Sequence, residues 1–450
     1  MCRVFFPKRG SNLPGSLALR FDPLFLRHVK GTAPSKTIFV TGSNGKSTTS
    51  NMIIWAFETA GRSIAANTEG ANMKAGIASA LVKNTNMSGR LNKDFMVFEV
   101  DERSLAAIAS DLPPGHLCLT NIQKDQVQRN GDPDYIYQMI KAVVSDIEGL
   151  TLYVNNEDPR GKSMGKHVRK DSRVVSFGVA QNDRGSEVEE FWGITMPCPI
   201  CCEKLDFSYF NLSCVGAFRC PACGFASDAQ ADLCISHVDY ENEFFQVSGT
   251  LIKDEDTHYH LAYPAVYFLY NYSLSACVSF EFGIDSETLS RAFKTFRNVG
   301  GRMETFTHAG KNIHYMRIKQ ETPEPMQSAL DTMASDGRDK VLVVGPAVVD
   351  DMIPNYSNTF YVFDCNFEPL LRSGVERCIC FGSTISYDMA NRLRYAGFQD
   401  EDIDVLNNDD DDQVLSAIAA VKSDNIYLIT WLRKYEELKE RANRYAQAKE

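Results

Sequence analysis

The sequence predicts an α/β protein of two or three domains, and three observations carry that expectation. From Thr37 to about residue 150, apolar runs alternate with helix-patterned stretches, as in a parallel sheet with crossover helices. From about Arg317 the alternation restarts, which marks a second, Rossmann-like α/β domain. Between them, two C-x-x-C pairs about 18 residues apart announce a small inserted ribbon. The expected division is a lead-in at 1–35, a central domain at 36–305 with the ribbon at about 190–235, and a C-terminal domain at 306–450.

Composition narrows the class before any motif does. Apolar residues make up 44% of the 450, enough for sizeable cores. A net charge of −11 argues against nucleic acid as a partner. No run of about 18 apolar residues exists, so no transmembrane segment is expected. Met1 to Lys8 lacks the apolar stretch and small-residue cleavage site of a signal peptide, which predicts a cytoplasmic protein. The 13 cysteines then read as thiols or metal ligands rather than disulfides. Cys118, Cys277, Cys365, Cys378 and Cys380 lie in apolar runs and are expected as small buried hydrophobes.

The lead-in turns at Gly10 and Pro14. Thr37 to Thr41 is then an apolar strand, Gly42-Ser43-Asn44-Gly45 a turn, and Lys46-Ser47 the opening of a helix to about Ala60. Phosphates need that geometry, because backbone N–H groups of a turn and of a helix N-terminus converge on an anion. Gly42 and Gly45 leave the turn free of side chains, Lys46 supplies a point charge, and Ser47 offers a hydroxyl to Mg²⁺. The usual P-loop has four residues between its glycines; here there are two, Ser43 and Asn44.

Thr68 to Gly76 reads as a second polar, glycine-flanked loop. Phe95 to Glu102 is a buried strand carrying a carboxylate. Glu99 is the expected Mg²⁺ ligand, since an acid inside an apolar run needs a partner. Asp101 and Glu102 read as solvated strand-end residues. The run ending at Leu119-Thr120-Asn121 leads into 123–131, where Asn121, Asp125 and Arg129 line a site or form a capped surface helix. Leu152 to Asn155 is one more strand.

Cys198, Cys201, Cys220 and Cys223 have the spacing of a tetrahedral four-thiolate zinc site. With every coordination position filled by protein, that zinc would be structural. Cys202 and Cys214 lie outside the spacing. Further on, Tyr270 to Ala276 opens a helix, another spans about 286–297, and Arg302 follows Gly300-Gly301. Strands are expected at Lys340–Gly345, Phe360–Asp364, Arg377–Gly382 and Ile426–Thr430. Helices are expected through Met389 to Tyr395 and after Thr430, and Asp409 to Asp412 reads as a solvated loop.

The run Thr41 to Thr49 resembles the Mur ligase superfamily. Glu69-Gly70-Ala71-Asn72-Met73, Glu99 to Glu102, Asn121, Asp125, Arg129, the four-cysteine ribbon, Tyr270-Asn271, Gly301-Arg302-Met303, Asp364 to Glu368 and Arg392 to Gly397 extend the likeness to its MurT family. These are Mur-ligase-like subunits of lipid II isoglutaminyl synthase. The resemblance implies a Mur-ligase-like central P-loop ATPase domain, and an amide ligase using ATP and Mg²⁺. It also implies a heterodimer with a GatD-like class I glutamine amidotransferase and a lipid II or muropeptide substrate at the inner membrane face. On that resemblance Gly42, Asn44, Gly45, Lys46, Ser47, Thr48, Asn271 and Arg302 bind the nucleotide. Ser47 and Glu99 hold magnesium, and Lys46, Glu99, Arg302, Asp351 and Asn358 form the catalytic set.

Three departures from the family pattern stand in the sequence. Asn358 occupies the place of the acid that supports the partner's Cys–His site. The Lys-Asn-Pro-Ala-Gly loop is replaced by Gln320 to Pro325, and the Phe-Asn ahead of Tyr270 by Tyr267-Phe268. Two alternatives remain: a stand-alone Mur or folylpolyglutamate-type ligase, and a non-catalytic ATP-binding zinc-ribbon scaffold.

Overall fold

The computed structural model describes residues 12–67, 71–124, 132–184, 196–212, 214–252, 257–297, 303–318, 322–346, 360–382 and 385–447. The chain falls into two compact units, Met1–Gln123 with Asp132–Val299, and Lys124–Gly131 with Gly300–Glu450.

In the first unit the strands are β1 (Thr37–Thr41), β2 (Ile64–Ala66), β3 (Phe95–Glu99), β4 (His116–Leu119), β5 (Thr151–Asn155), β6 (Arg173–Val179), β7 (Asp206–Phe207), β8 (Phe218–Arg219), β9 (Leu233–Asp239), β10 (Phe244–Ser248) and β11 (Tyr259–His260). Nine of them form one sheet in the order β11-β10-β9-β6-β5-β4-β1-β3-β2. From β2 to β9 every neighbouring pair is parallel, and the two edge pairings, β9–β10 and β10–β11, are antiparallel. Helices α1 (Leu13–Phe21), α2 (Lys46–Thr59), α3 (Lys74–Asn84), α4 (Pro133–Asp146), α5 (Val266–Glu281) and α6 (Ser286–Thr295) cover its faces.

Strand β1 is buried along its whole length, so it alternates between two cores instead of between core and solvent. Ile38 and Val40 join Met52 and Ile53 of α2, Leu274 of α5 and Leu289 of α6. Phe39 joins Ile77 and Leu81 of α3 and Ile140 of α4 on the other face. Burial on both faces holds β1 in register, with Val40 opposite Glu99 on β3 and Cys118 on β4. The loops after β1, β3 and β4 therefore emerge together at the strands' C-terminal edge, where open α/β sheets bind ligands.

The second unit has β12 (Met303–His308), β13 (Lys311–Arg317), β14 (Lys340–Gly345), β15 (Val375–Cys380), β16 (Ile403–Val405) and β17 (Asn425–Thr430). They are ordered β12-β13-β17-β14-β15-β16, parallel except for the β12–β13 hairpin. Helices α7 (Pro323–Ala334), α8 (Phe360–Phe363), α9 (Ile385–Ala396), α10 (Asp411–Ala420) and α11 (Leu432–Gln447) accompany them. The α/β class is therefore the one expected. The five cysteines of the apolar runs are all fully buried.

Two expectations are corrected. Phe360 to Asp364 is not a strand: Phe360–Phe363 is a helical turn, α8, with Tyr361 and Val362 buried in the core beside Met326 and Leu330 of α7. A short aromatic run has no period of its own, and packing chose its conformation. The acidic run is not a solvated loop either. Asp410 caps α10 by accepting the Asp412 N–H at 2.9 Å. Buried Lys434 meets Asp409 at 2.9 Å and Asp411 at 2.6 Å, and Arg441 Nε meets Asp412 at 2.6 Å.

Candidate nucleotide site and metal centre

The loop between β1 and α2 is shaped by its glycines. Gly42 has φ +123° and Gly45 φ +83°. A Cβ on Gly42 would stand 2.3 Å from Thr120 Oγ1, and one on Gly45 2.3 Å from Asn271 Oδ1. Residues after β4 strap the loop down. Ser43 N–H donates to Asn121 O at 2.9 Å, Asn44 N–H donates to Asn121 Oδ1 at 3.0 Å, and Gln123 N–H donates to Ser43 Oγ at 2.9 Å. Asp158 holds the strap in turn, accepting the Ile122 N–H at 2.9 Å. Gly45 is the N-cap of α2 and supplies no side-chain cap, and a helix N-terminus of this kind suits an anion.

Lys46 is buried and folds back on this loop. Its Nζ donates to Gly42 O, to Ser43 O at 3.1 Å and to Glu102 Oε1 at 2.6 Å. Glu102 and Asp101 are 3% and 4% exposed, which overturns their expectation as solvated strand-end residues. The chain turns inward after β3: the Val100 N–H donates to Val40 O at 2.9 Å and the Asp101 N–H to Asn72 O at 3.0 Å. That turn brings Glu102 under the lysine. Glu99, also buried, accepts from Asn72 Nδ2 at 3.0 Å, while Asn67 brackets its backbone through N–H and C=O. Ser47 is half-buried and Thr48 buried.

Asn271 comes from α5, far along the chain, and lies against Gly45. Its Oδ1 accepts from Thr49 Oγ1 at 3.1 Å, whereas its Nδ2 is buried without a partner among the described residues. An unpaired buried donor is costly, and such a group marks a place where a ligand atom belongs. The loop glycines, Lys46, Glu99 and this amide together suit a nucleotide phosphate with its Mg²⁺.

Beside the strap lie two carboxyls that the sequence reading passed over. Burial pushes Glu157 up to about 7, against hydrogen bonds from the Val179 N–H (2.8 Å) and Asn156 Nδ2 (3.3 Å). Burial likewise pushes Asp158 up to about 6. Their signal was an acidic pair directly after a strand end, Asn155-Asn156-Glu157-Asp158. For Glu102 the signal was its place three residues after Glu99.

The four knuckle cysteines converge. Their sulfurs all lie within 4.8 Å of one another, with Cys198–Cys223 at 3.7 Å and Cys201–Cys220 at 3.5 Å. Separations near 3.7 Å are what tetrahedral thiolates at about 2.3 Å from zinc require. The two knuckles repeat one geometry. Cys202 N–H donates to Cys198 O at 2.9 Å and Gly224 N–H to Cys220 O at 3.0 Å, while the Cys198 and Cys220 N–H groups donate to Glu203 O and Phe225 O, both at 2.7 Å. Each knuckle ends in a left-handed residue, Cys202 (φ 65°) and Gly224 (φ 75°). Cys202 thus stands at a backbone turn and outside the ligand cluster. Among the described residues a small core supports this ribbon, chiefly Met196, Leu205, Phe218 and Phe225 with the buried cysteines.

Other candidate residues lie outside the described residues: Arg302 with Gly300 and Gly301, Asp351, Asn358, Glu69, Gly70, Asp125, Arg129 and the 319–321 segment.

The family model of the Mur ligase middle domain matches residues 40–197, and that of the MurT ligase C-terminal domain matches residues 320–432. Among curated proteins, lipid II isoglutaminyl synthase (glutamine-hydrolyzing) subunit MurT of Staphylococcus aureus (strain COL) is 28% identical over 394 residues, 86% of this chain and 84% of that protein. The subunit of the same name from Streptococcus pneumoniae (strain ATCC BAA-255 / R6) is 25% identical over 432 residues, 96% and 92% of the two chains. Among solved structures, a pseudomurein peptide ligase type C from Methanothermus fervidus superposes with a TM-score of 0.68 at 18% identity, over 94% of this chain and 81% of that one. MurF ligase from Thermotoga maritima in complex with ADP gives 0.62 at 16% identity, over 94% and 83%.

Proposed function

Since the chain belongs to the Mur ligase superfamily as a divergent, MurT-like member, we propose that it is the ATP-dependent ligase subunit of a lipid II isoglutaminyl synthase. In this reading it transfers the terminal phosphoryl group of ATP to the α-carboxylate of D-glutamate in the lipid II stem peptide. A GatD-like class I glutaminase subunit hydrolyses glutamine to glutamate and ammonia. Ammonia attacks the acyl phosphate and displaces phosphate, so that D-isoglutamine, ADP and phosphate result.

The observation that carries the reading is the unpaired, buried Asn271 amide beside Gly45, at the start of the helix that bears Lys46. Lys46 exchanges its Glu102 contact for the phosphates and steadies the charge that develops on the transferred group. Glu99 and Ser47 would hold Mg²⁺, whose charge offsets that of the phosphates. Gly42, Asn44, Gly45 and Thr48 line the phosphate loop, and Asn271 donates from its Nδ2. Arg302 serves as a second cation. Asp351 keeps an acid of the family pattern, and Asn358 stands where the family's acid supports the glutaminase's Cys–His site; an amide there orients a histidine but does not stabilise its cation. Cys198, Cys201, Cys220 and Cys223 would hold a structural zinc. The work is cytoplasmic, at the inner membrane face.

The test is co-expression with a class I glutaminase, followed by assay of lipid II amidation. Amide formation should require ATP, glutamine and both chains, and Lys46→Ala should reduce it by at least a hundredfold. Amino-acid addition without any glutaminase would replace the proposal with the stand-alone ligase. ATP binding with no turnover on any muropeptide would replace it with the scaffold.

A further inference from the structure

We propose that the face of the first unit carrying α1 docks on an anionic lipid bilayer. Helix α1 is fixed to α3 through Gly15, whose N–H donates to Ser79 Oγ at 2.7 Å. A Cβ there would stand 2.0 Å from Ala75 O, so α1 lies directly on α3. Away from that contact, apolar side chains face solvent. Leu17 is 43% exposed, Phe21, one turn later, 86%, and Leu24, just past the helix, 44%. A turn at 85–91 adds Met87, fully exposed. That turn is joined to the same segment by Lys30 N–H to Gly89 O at 3.0 Å and Leu91 N–H to Lys30 O at 2.8 Å. Arg20, Lys30, Lys83 and Arg90 are exposed on these same segments.

Charge selects the occupant. The described segments that build this face, residues 12–36 and 71–91, hold seven Lys and Arg against one acid, Asp22, a net +6 in a chain whose total is −11. Arg27 pairs with Asp111 at 2.6 Å and adds little to the surface field. Single large apolar side chains interspersed with exposed cations are the pattern that enters a bilayer interface, where the apolar tips reach the acyl boundary and the cations meet anionic headgroups. The inference needs no particular reaction, although on the proposed function it would bring the ligase to the plane of a lipid-carried substrate.

The test is sedimentation of the full-length protein with vesicles. Phosphatidylglycerol-rich vesicles should carry it down and pure phosphatidylcholine vesicles should not. Raising the salt well above physiological ionic strength should release it. The pair Leu17→Ser and Phe21→Ser should weaken binding about tenfold with unfolding temperature and nucleotide binding unchanged. Arg20→Glu with Lys30→Glu should weaken it at least as much. No binding, equal binding to both vesicle types, or an unaffected serine pair would overturn the proposal. So would a concentration-dependent dimer that the serine pair dissociates, since the face would then belong to a second copy. No substrate enters this readout, so its failure leaves the ligase reading standing.

Discussion

Lys46 and Glu102 form a buried ion pair in which neither charge reaches water. On the proposed function, Glu102 competes with the phosphates for Lys46. Glu102→Gln keeps the shape and removes the competitor. We expect its affinity for ATP in EDTA, by calorimetry, to rise about tenfold over wild type, since a buried charged contact is worth on the order of 1.5–3 kcal/mol. Unchanged affinity would mean that the pair is purely structural. Glu157 makes a pH-dependent prediction. Its folded value, about 7, lies above the ordinary 4.5, so its share of stability is complete below the ordinary value and is lost as pH rises through about 7. Wild type should lose up to about 3 kcal/mol between about pH 5 and about pH 8, and Glu157→Gln should flatten that loss. Asp158, raised in the same direction, leaves a residual slope. Thermal unfolding against pH measures both, and parallel curves for the two proteins would refute the assignment.

At the scale of elements, the β1–α2 loop depends on one strand, two helices and a strap. Gly45 lies where α2 begins and where α5 presents Asn271. Gly45→Ala adds a Cβ at a positive φ and pushes on Asn271, which should cost about 1–3 kcal/mol of stability. The same change should abolish detectable nucleotide binding while leaving far-ultraviolet dichroism intact. Wild-type affinity in that variant would show that Asn271 does not close on the loop. Local pattern served well where an element alternates or caps regularly. The helix expected at about 286–297 is Ser286–Thr295, with Asp285 capping Thr288 at 2.7 Å. It served badly in the second unit. The β12–β13 hairpin turns on Ala309 and Gly310, both with positive φ, and its alanine offers no turn signal in the sequence.

At the scale of the molecule, the ribbon is the part least able to support itself. Its core is a handful of side chains, and the metal would replace the missing burial. Removal of metal with a strong chelator under reducing conditions should open the amides of 196–227 to hydrogen exchange by a factor of a hundred or more. The β12–β17 sheet, in the other unit, should exchange unchanged. Equal protection of the ribbon with and without metal would mean that its four thiols are only neighbours.

The sequence alone determined the features whose physics is local. A strand, a glycine turn and a Lys-Ser helix start are written within thirteen residues, and a knuckle is written within four. Alternation of apolar runs and helices was enough for the α/β class, because strand and helix periods are read along the chain. Only the tertiary structure decided what Lys46 touches, that Glu102 is buried, and that Asn271 meets Thr49 across 222 residues. Those contacts arise when β1, β3 and β4 align their C-terminal ends and α5 packs on α2. No window of sequence holds that information, since it belongs to the sheet order and to the two cores that set it.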